Sequence, residues 1–135
     1  LKQLGSTKIG KECIIESGCI IARGSANEST IIGSGTIIAP SSAIGHGSII
    51  GSFTHIANNV TIGGSVFIHD YNFIGCAAVI NPRVKLISSD IIVGAGCVVA
   101  KDLEESGIYV GTPARKIKEI SQFQRGVPKW NRKNI

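Results

Sequence analysis

Three histidines and four cysteines are the side chains of this 135-residue chain best suited to acid–base, nucleophilic or metal chemistry. The histidines are His46, His55 and His69, spaced nine and fourteen residues apart. An imidazole that titrates near neutrality can take a proton from an attacking group, so each is a candidate general base. His46 lies in Ala43-Ile44-Gly45-His46-Gly47-Ser48, and His55 in Gly51-Ser52-Phe53-Thr54-His55-Ile56. The cysteines, Cys13, Cys19, Cys76 and Cys97, form no CxxC pair, which excludes a zinc ribbon. No metal is expected.

The elements that must position these groups are set by a repeat of six. From Ile32, every sixth residue is aliphatic: Ile32, Ile38, Ile44, Ile50, Ile56, Ile62, Ile68, Ile74, Ile80 and Leu86. The phase extends to Ile9, Ile15 and Ile21 upstream and to Val93 and Val99 downstream. Four residues after each aliphatic stands a small residue, such as Cys13, Cys19, Thr36, Ser42, Ser48, Thr54, Ala78 or Cys97, with Asn72 and Asp90 the polar exceptions. Each hexad reads as one short strand plus a corner, with both repeating positions pointing inward. Three hexads close a coil of about eighteen residues, and coils stack by parallel backbone pairing. The expected fold is all-β, a parallel β-helix of about five coils from about Ile9 to Ala100. The phase slips twice, predicting a shortened corner near Asn27 and a bulged one near Ile92.

In this register His46 and His55 point outward and His69 sits at a corner. They are surface groups or parts of a site between subunits. Cys13, Cys19 and Cys97 fall inward as reduced filler, and Cys76 is the exposed one.

Composition agrees. Ile plus Val number 33 and Leu plus Met only 4, which favours β-branched strands over a helical bundle. No apolar run is long enough to span a bilayer, so no membrane insertion is expected and the localisation is expected to be cytoplasmic. Net charge is +5, but the segment from Pro113 onward carries seven bases against one acid, or +6, leaving the rest at −1. A neutral body argues against a nucleic-acid partner. The chain divides into a β-helix over 1–107 and a C-terminal strand or helix with a basic tail over 108–135. Ala114, Ile117, Ile120 and Phe123 recur at helical spacing. A short C-terminal helix starting near Pro113 is therefore expected to cap the prism.

The hexad pattern resembles the hexapeptide-repeat transferases, which implies that the β-helix is left-handed. The run from Ser41 to Gly64 is similar to the sugar acetyltransferases of the bacillosamine, perosamine and sialic-acid type. The matching residues are His46, Ile50-Gly51, Phe53-Thr54-His55-Ile56 and Gly63-Gly64. Phe73-Ile74-Gly75, Ile80-Asn81-Pro82, Val93-Gly94-Ala95-Gly96 and Val110-Gly111-Thr112-Pro113-Ala114 match further on.

The resemblance implies acetyl transfer from acetyl-CoA to an amino or hydroxyl group of a sugar. The acceptor would be a nucleotide-linked amino sugar of surface polysaccharide or glycan biosynthesis. It implies His46 as general base, His55 at the thioester end, and Gly64, Cys76 and Ala95 touching the coenzyme through backbone. It also implies a homotrimer. Electrostatics adds Arg115, Lys116 and Lys118 as partners for coenzyme phosphates. Two features depart from the family pattern. Gly47 stands where Asp or Glu usually supports the histidine, so restoring Glu there is expected to raise activity modestly. Only eight residues precede Ile9, where relatives of this branch carry an acceptor-binding βαβ domain. The alternatives are a non-catalytic β-helix module for assembly or binding, and a γ-type carbonic anhydrase. The latter resemblance requires histidines five apart, which this chain lacks.

Overall fold

The computed structural model describes residues 5–86 and 88–120. The first coil is β1 (Thr7–Ile9), β2 (Ile14–Ile15) and β3 (Ile20–Ile21). The second is β4 (Thr30–Ile32), β5 (Ile37–Ile38) and β6 (Ala43–Ile44), and the third β7 (Ile49–Ile50), β8 (His55–Ile56) and β9 (Thr61–Ile62). The fourth is β10 (Phe67–Ile68), β11 (Phe73–Ile74) and β12 (Val79–Ile80), and the fifth β13 (Lys85–Leu86), β14 (Ile91–Val93) and β15 (Val98–Val99). Two longer strands, β16 (Gly107–Val110) and β17 (Arg115–Lys118), finish the described chain.

Every third strand pairs in parallel, giving three faces. The first face is β1-β4-β7-β10-β13 and the third β3-β6-β9-β12-β15. The second runs β2-β5-β8-β11-β14 and continues into β16 and β17. This is the parallel β-helix that the hexads predict. The core is a ladder of identical layers. Ile32, Ile38, Ile44, Ile50, Ile56, Ile62, Ile68, Ile74, Ile80 and Leu86 are each at most 2% exposed. Burying one such side chain contributes about 1.5–3 kcal/mol.

The small inward residues satisfy the corners. Thr36 Oγ1 donates to Gly51 O at 2.8 Å, Ser42 Oγ to Ala57 O at 2.7 Å and Ser48 Oγ to Gly63 O at 2.9 Å. These carbonyls would otherwise be buried without a partner. Cys97 is buried, Cys13 and Cys19 are half-buried, and Cys76 is exposed. All four are free thiols, in the arrangement the register predicts.

A third periodic position escaped the sequence reading. The third residue after the inward aliphatic has positive φ at Glu12, Gly18, Gly35, Ser41, Gly47, Phe53, Asn59, Ser65, Tyr71, Ala77, Arg83 and Gly96. These regular corners each turn through one left-handed residue, as a type II turn requires. Glycine fills only four of these positions, so composition does not reveal them.

Two expectations need correction. The corner near Asn27 is enlarged, not shortened. Ile9 pairs with Ile32, a step of 23, whereas Ile32 pairs with Ile50, a step of 18. The connection from β3 to β4 thus carries five extra residues, and Ile21 and Ile32 flank one corner. Sequence spacing could not separate one long corner from two short ones. The second slip is a single extra residue, since Ile74 pairs with Val93, a step of 19. Asn72 holds that corner, donating to His69 O at 2.9 Å and Ser88 O at 3.2 Å and accepting from Ile91 N at 2.6 Å.

The second correction concerns the expected helix. Residues 115–118 form β17, antiparallel to β16, with Tyr109 facing Lys116 and Val110 facing Arg115. The exposed backbone edge of β16 recruits the segment, because pairing satisfies donors and acceptors that a helix would leave open. The remainder of that expectation, with Phe123 and the basic residues beyond, lies outside the described residues. Leu103 and Tyr109 close this end of the core.

Candidate functional site

His46 lies on the corner between the third and first faces, in the loop from β6 to β7. The corner is pinned on both sides. His46 O accepts from Ser65 N at 2.8 Å, and Gly47 N donates to Thr30 Oγ1 at 2.9 Å. Thr30 Oγ1 in turn donates to Ala22 O at 2.7 Å. Gly45 allows the coils to approach, since a Cβ there would lie 2.5 Å from Gly63 C and Gly64 N. With its backbone fixed, the His46 imidazole is exposed and lies over the next coil. A Cβ on Gly64 would be 2.7 Å from His46 Nε2. Gly64 thus makes room for the ring, and the motif pair His46 and Gly64 forms one physical unit.

The enlarged loop brings a group that the hexad pattern did not flag. Glu28 reaches the same corner from the preceding coil, and a Cβ on Gly47 would collide with Glu28 Oε2. Ser65 Oγ donates to Glu28 Oε2 at 3.3 Å. The signal that could have found Glu28 is the phase slip itself, read as an insertion beside His46.

His55 is elsewhere. It stands half-buried on β8, in the centre of the second face, in register with Ile37 and Phe73. Its ring meets Phe73 edge-to-face, with centroids 5.2 Å apart. Cys76 and Ala95 are exposed on the corner between the second and third faces, on adjacent coils, where Gly96 N donates to Cys76 O at 2.8 Å. His46 and Gly64 therefore edge the third face on one side, and Cys76 and Ala95 on the other. His69 is on the remaining corner, with Nδ1 2.9 Å from Ser89 Oγ. One chain brings His46 to Gly64 and Cys76 to Ala95, but does not bring His46 to His55.

Arg115 is exposed on β17. Lys116 is engaged: its Nζ lies 2.7 Å from Glu119 Oε1 and 3.0 Å from Glu105 Oε2. Side-chain hydrogen bonds to Glu119 and then Glu105 hold its ammonium above the ordinary lysine range. A phosphate would have to compete with two carboxylates for it, so Arg115 is the more available cation.

Residues 29–64 match the family described as bacterial transferase hexapeptide (six repeats). The chain is 35% identical over 114 residues to the probable UDP-3-O-acylglucosamine N-acyltransferase 2, mitochondrial, of Arabidopsis thaliana, covering 84% of this chain and 37% of that relative. The solved Arabidopsis UDP-N-acetylglucosamine acyltransferase superposes with a TM-score of 0.80 at 27% identity, over 84% of this chain and 40% of that one. AntD, an N-acyltransferase from Bacillus cereus solved with dTDP and coenzyme A, shares the fold with a TM-score of 0.72 at 22% identity, over 87% of this chain and 78% of its own. Residues 29–64 thus carry the hexapeptide repeat, and the chain has the left-handed parallel β-helix fold of these acyltransferases. It spans about two fifths of the length of the Arabidopsis relatives.

Proposed function

We propose that the protein transfers an acetyl group from acetyl-CoA to an amino or hydroxyl group of a sugar, in surface-glycan biosynthesis. The observation that carries this reading is the exposed His46 imidazole, fixed at a glycine corner with Nε2 lying over Gly64. The likeness to sugar N-acyltransferases supports it.

In this reading the acceptor nitrogen or oxygen attacks the thioester carbon while His46 Nε2 takes its proton. The new C–N or C–O bond forms, the C–S bond breaks, and the imidazolium returns the proton to the departing sulfur. Backbone donors along the coil edge stabilise the oxyanion between these steps. Gly64, Cys76 and Ala95 would contact the coenzyme, His55 its thioester end, and Arg115 a phosphate.

His46 and His55 lie on different parts of one prism, so a site using both needs a second copy. Outward apolar residues provide surfaces for such contacts, among them Ile14, Ile20 and Phe73. The proposed assembly is a homotrimer with composite sites.

The deciding experiment pairs a thiol-release assay, using acetyl-CoA and a panel of nucleotide sugars, with light scattering. Trimer and turnover are expected. A stable monomer at micromolar concentration that neither binds acetyl-CoA nor turns over any acceptor makes the non-catalytic module the better reading.

A further inference from the structure

We propose that the groove bordering the His46 corner, lined by Gly47 and Ser65 next to His46 and Gly64, is the acceptor site, and that Glu28 makes it selective for a cationic amine over a neutral hydroxyl. This inference rests on the acyl-transfer reading and specifies its substrate class. The five extra residues of the β3–β4 corner carry Glu28 to the corner that bears His46. Its carboxylate fills the space that Gly47 leaves open and meets Ser65 Oγ at 3.3 Å. The side chain is exposed and lines the groove, so the carboxylate has lone pairs left for a ligand there.

That groove has a volume of about 480 Å³ and is lined by Glu28, Gly47 and Ser65 on one side. Ile31, Ile49 and Phe67 line the other. These three stand in register on β4, β7 and β10, so their outward side chains make a continuous apolar strip. One anionic end and an apolar floor, part of it aromatic, fit a sugar ring that presents a C–H face and one ammonium. Pairing of carboxylate with ammonium is stronger than its hydrogen bond from a neutral hydroxyl.

The proton balance is explicit. The ammonium held at Glu28 loses one proton to solvent as the amine turns toward the thioester. His46 takes the second as the C–N bond forms and delivers it to sulfur as the C–S bond breaks.

The test compares wild type with E28Q, using dTDP-4-amino-4,6-dideoxyglucose and its 4-hydroxy counterpart as matched probes. E28Q is expected to raise KM for the amine by about tenfold or more, to change kcat little, and to leave acetyl-CoA affinity as it was. The amine-over-hydroxyl preference should largely disappear. An unchanged KM and preference in E28Q, in an enzyme that binds acetyl-CoA and turns over, overturns this inference and leaves the acyl-transfer reading standing. Failure of wild type to bind acetyl-CoA sinks that reading instead. Calorimetric titration of the two sugars alone then decides the groove: Glu28-dependent binding of the amine supports it, and equal or absent binding overturns it.

Discussion

The His46 imidazole lies over the Cα of Gly64, so that a single added methyl group would stand 2.7 Å from Nε2. The side chain rather than the backbone would give way, because the nearest atoms to such a Cβ all belong to the His46 ring. Gly64→Ala is therefore expected to fold with nearly unchanged stability. Turnover should fall about 10²-fold, the size of effect that misplacing a catalytic group by about 1 Å can have. A melting curve beside a kinetic assay checks both halves. A variant with wild-type turnover would show that His46 does not act from this position.

Replacing the two outward histidines should have different effects. His46→Ala is expected to cost about 10²–10⁴-fold in turnover with acetyl-CoA affinity nearly intact, the signature of a lost base. His55→Ala should chiefly weaken acetyl-CoA binding. Calorimetric affinities and turnover for both variants separate the roles. Wild-type turnover in His46→Ala removes the base assignment.

Gly47→Glu, which the motif alone suggests as an improvement, is expected to be a loss. Gly47 has φ +65°, where a non-glycine residue costs on the order of 1 kcal/mol. Its new carboxylate would also share the corner with Glu28. Lower stability and no gain in turnover are expected, and a rise in turnover would contradict the place given to Glu28.

Ile56→Ala tests the ladder itself. Ile56 is fully buried between Ile38 and Ile74 in the second-face stack. Truncation should cost about 2–5 kcal/mol, because stacked coils cannot collapse into the cavity. The melting temperature should fall by about 10 °C or more. A fall of only a degree or two would mean that the layers repack freely.

The architecture is readable in the hexads, because one inward aliphatic per strand leaves an unambiguous period. Ile32 through Leu86 occupy the positions that the spacing assigns. Inward Cys97 and exposed Cys76 follow from the same register. The site was legible only in part. The motif named His46 and Gly64, and their contact is local to one corner on successive coils. Glu28 was hidden because its placement depends on loop length rather than period. Ala114, Ile117 and Ile120 carry helical spacing, but the open edge of β16 offers stronger backbone pairing, and the segment forms β17. Tertiary pairing overrode local pattern there.

Glu28 and His46 reach one corner from different turns of the prism, the first from the connection between β3 and β4 and the second from the connection between β6 and β7. In a solenoid each turn touches only its neighbours, so the spacing of carboxylate and imidazole is set by how two turns stack and by neither turn alone. The length of the β3–β4 connection is thus a dial for the charge: residues added or removed there would move the carboxylate and leave the base where it stands.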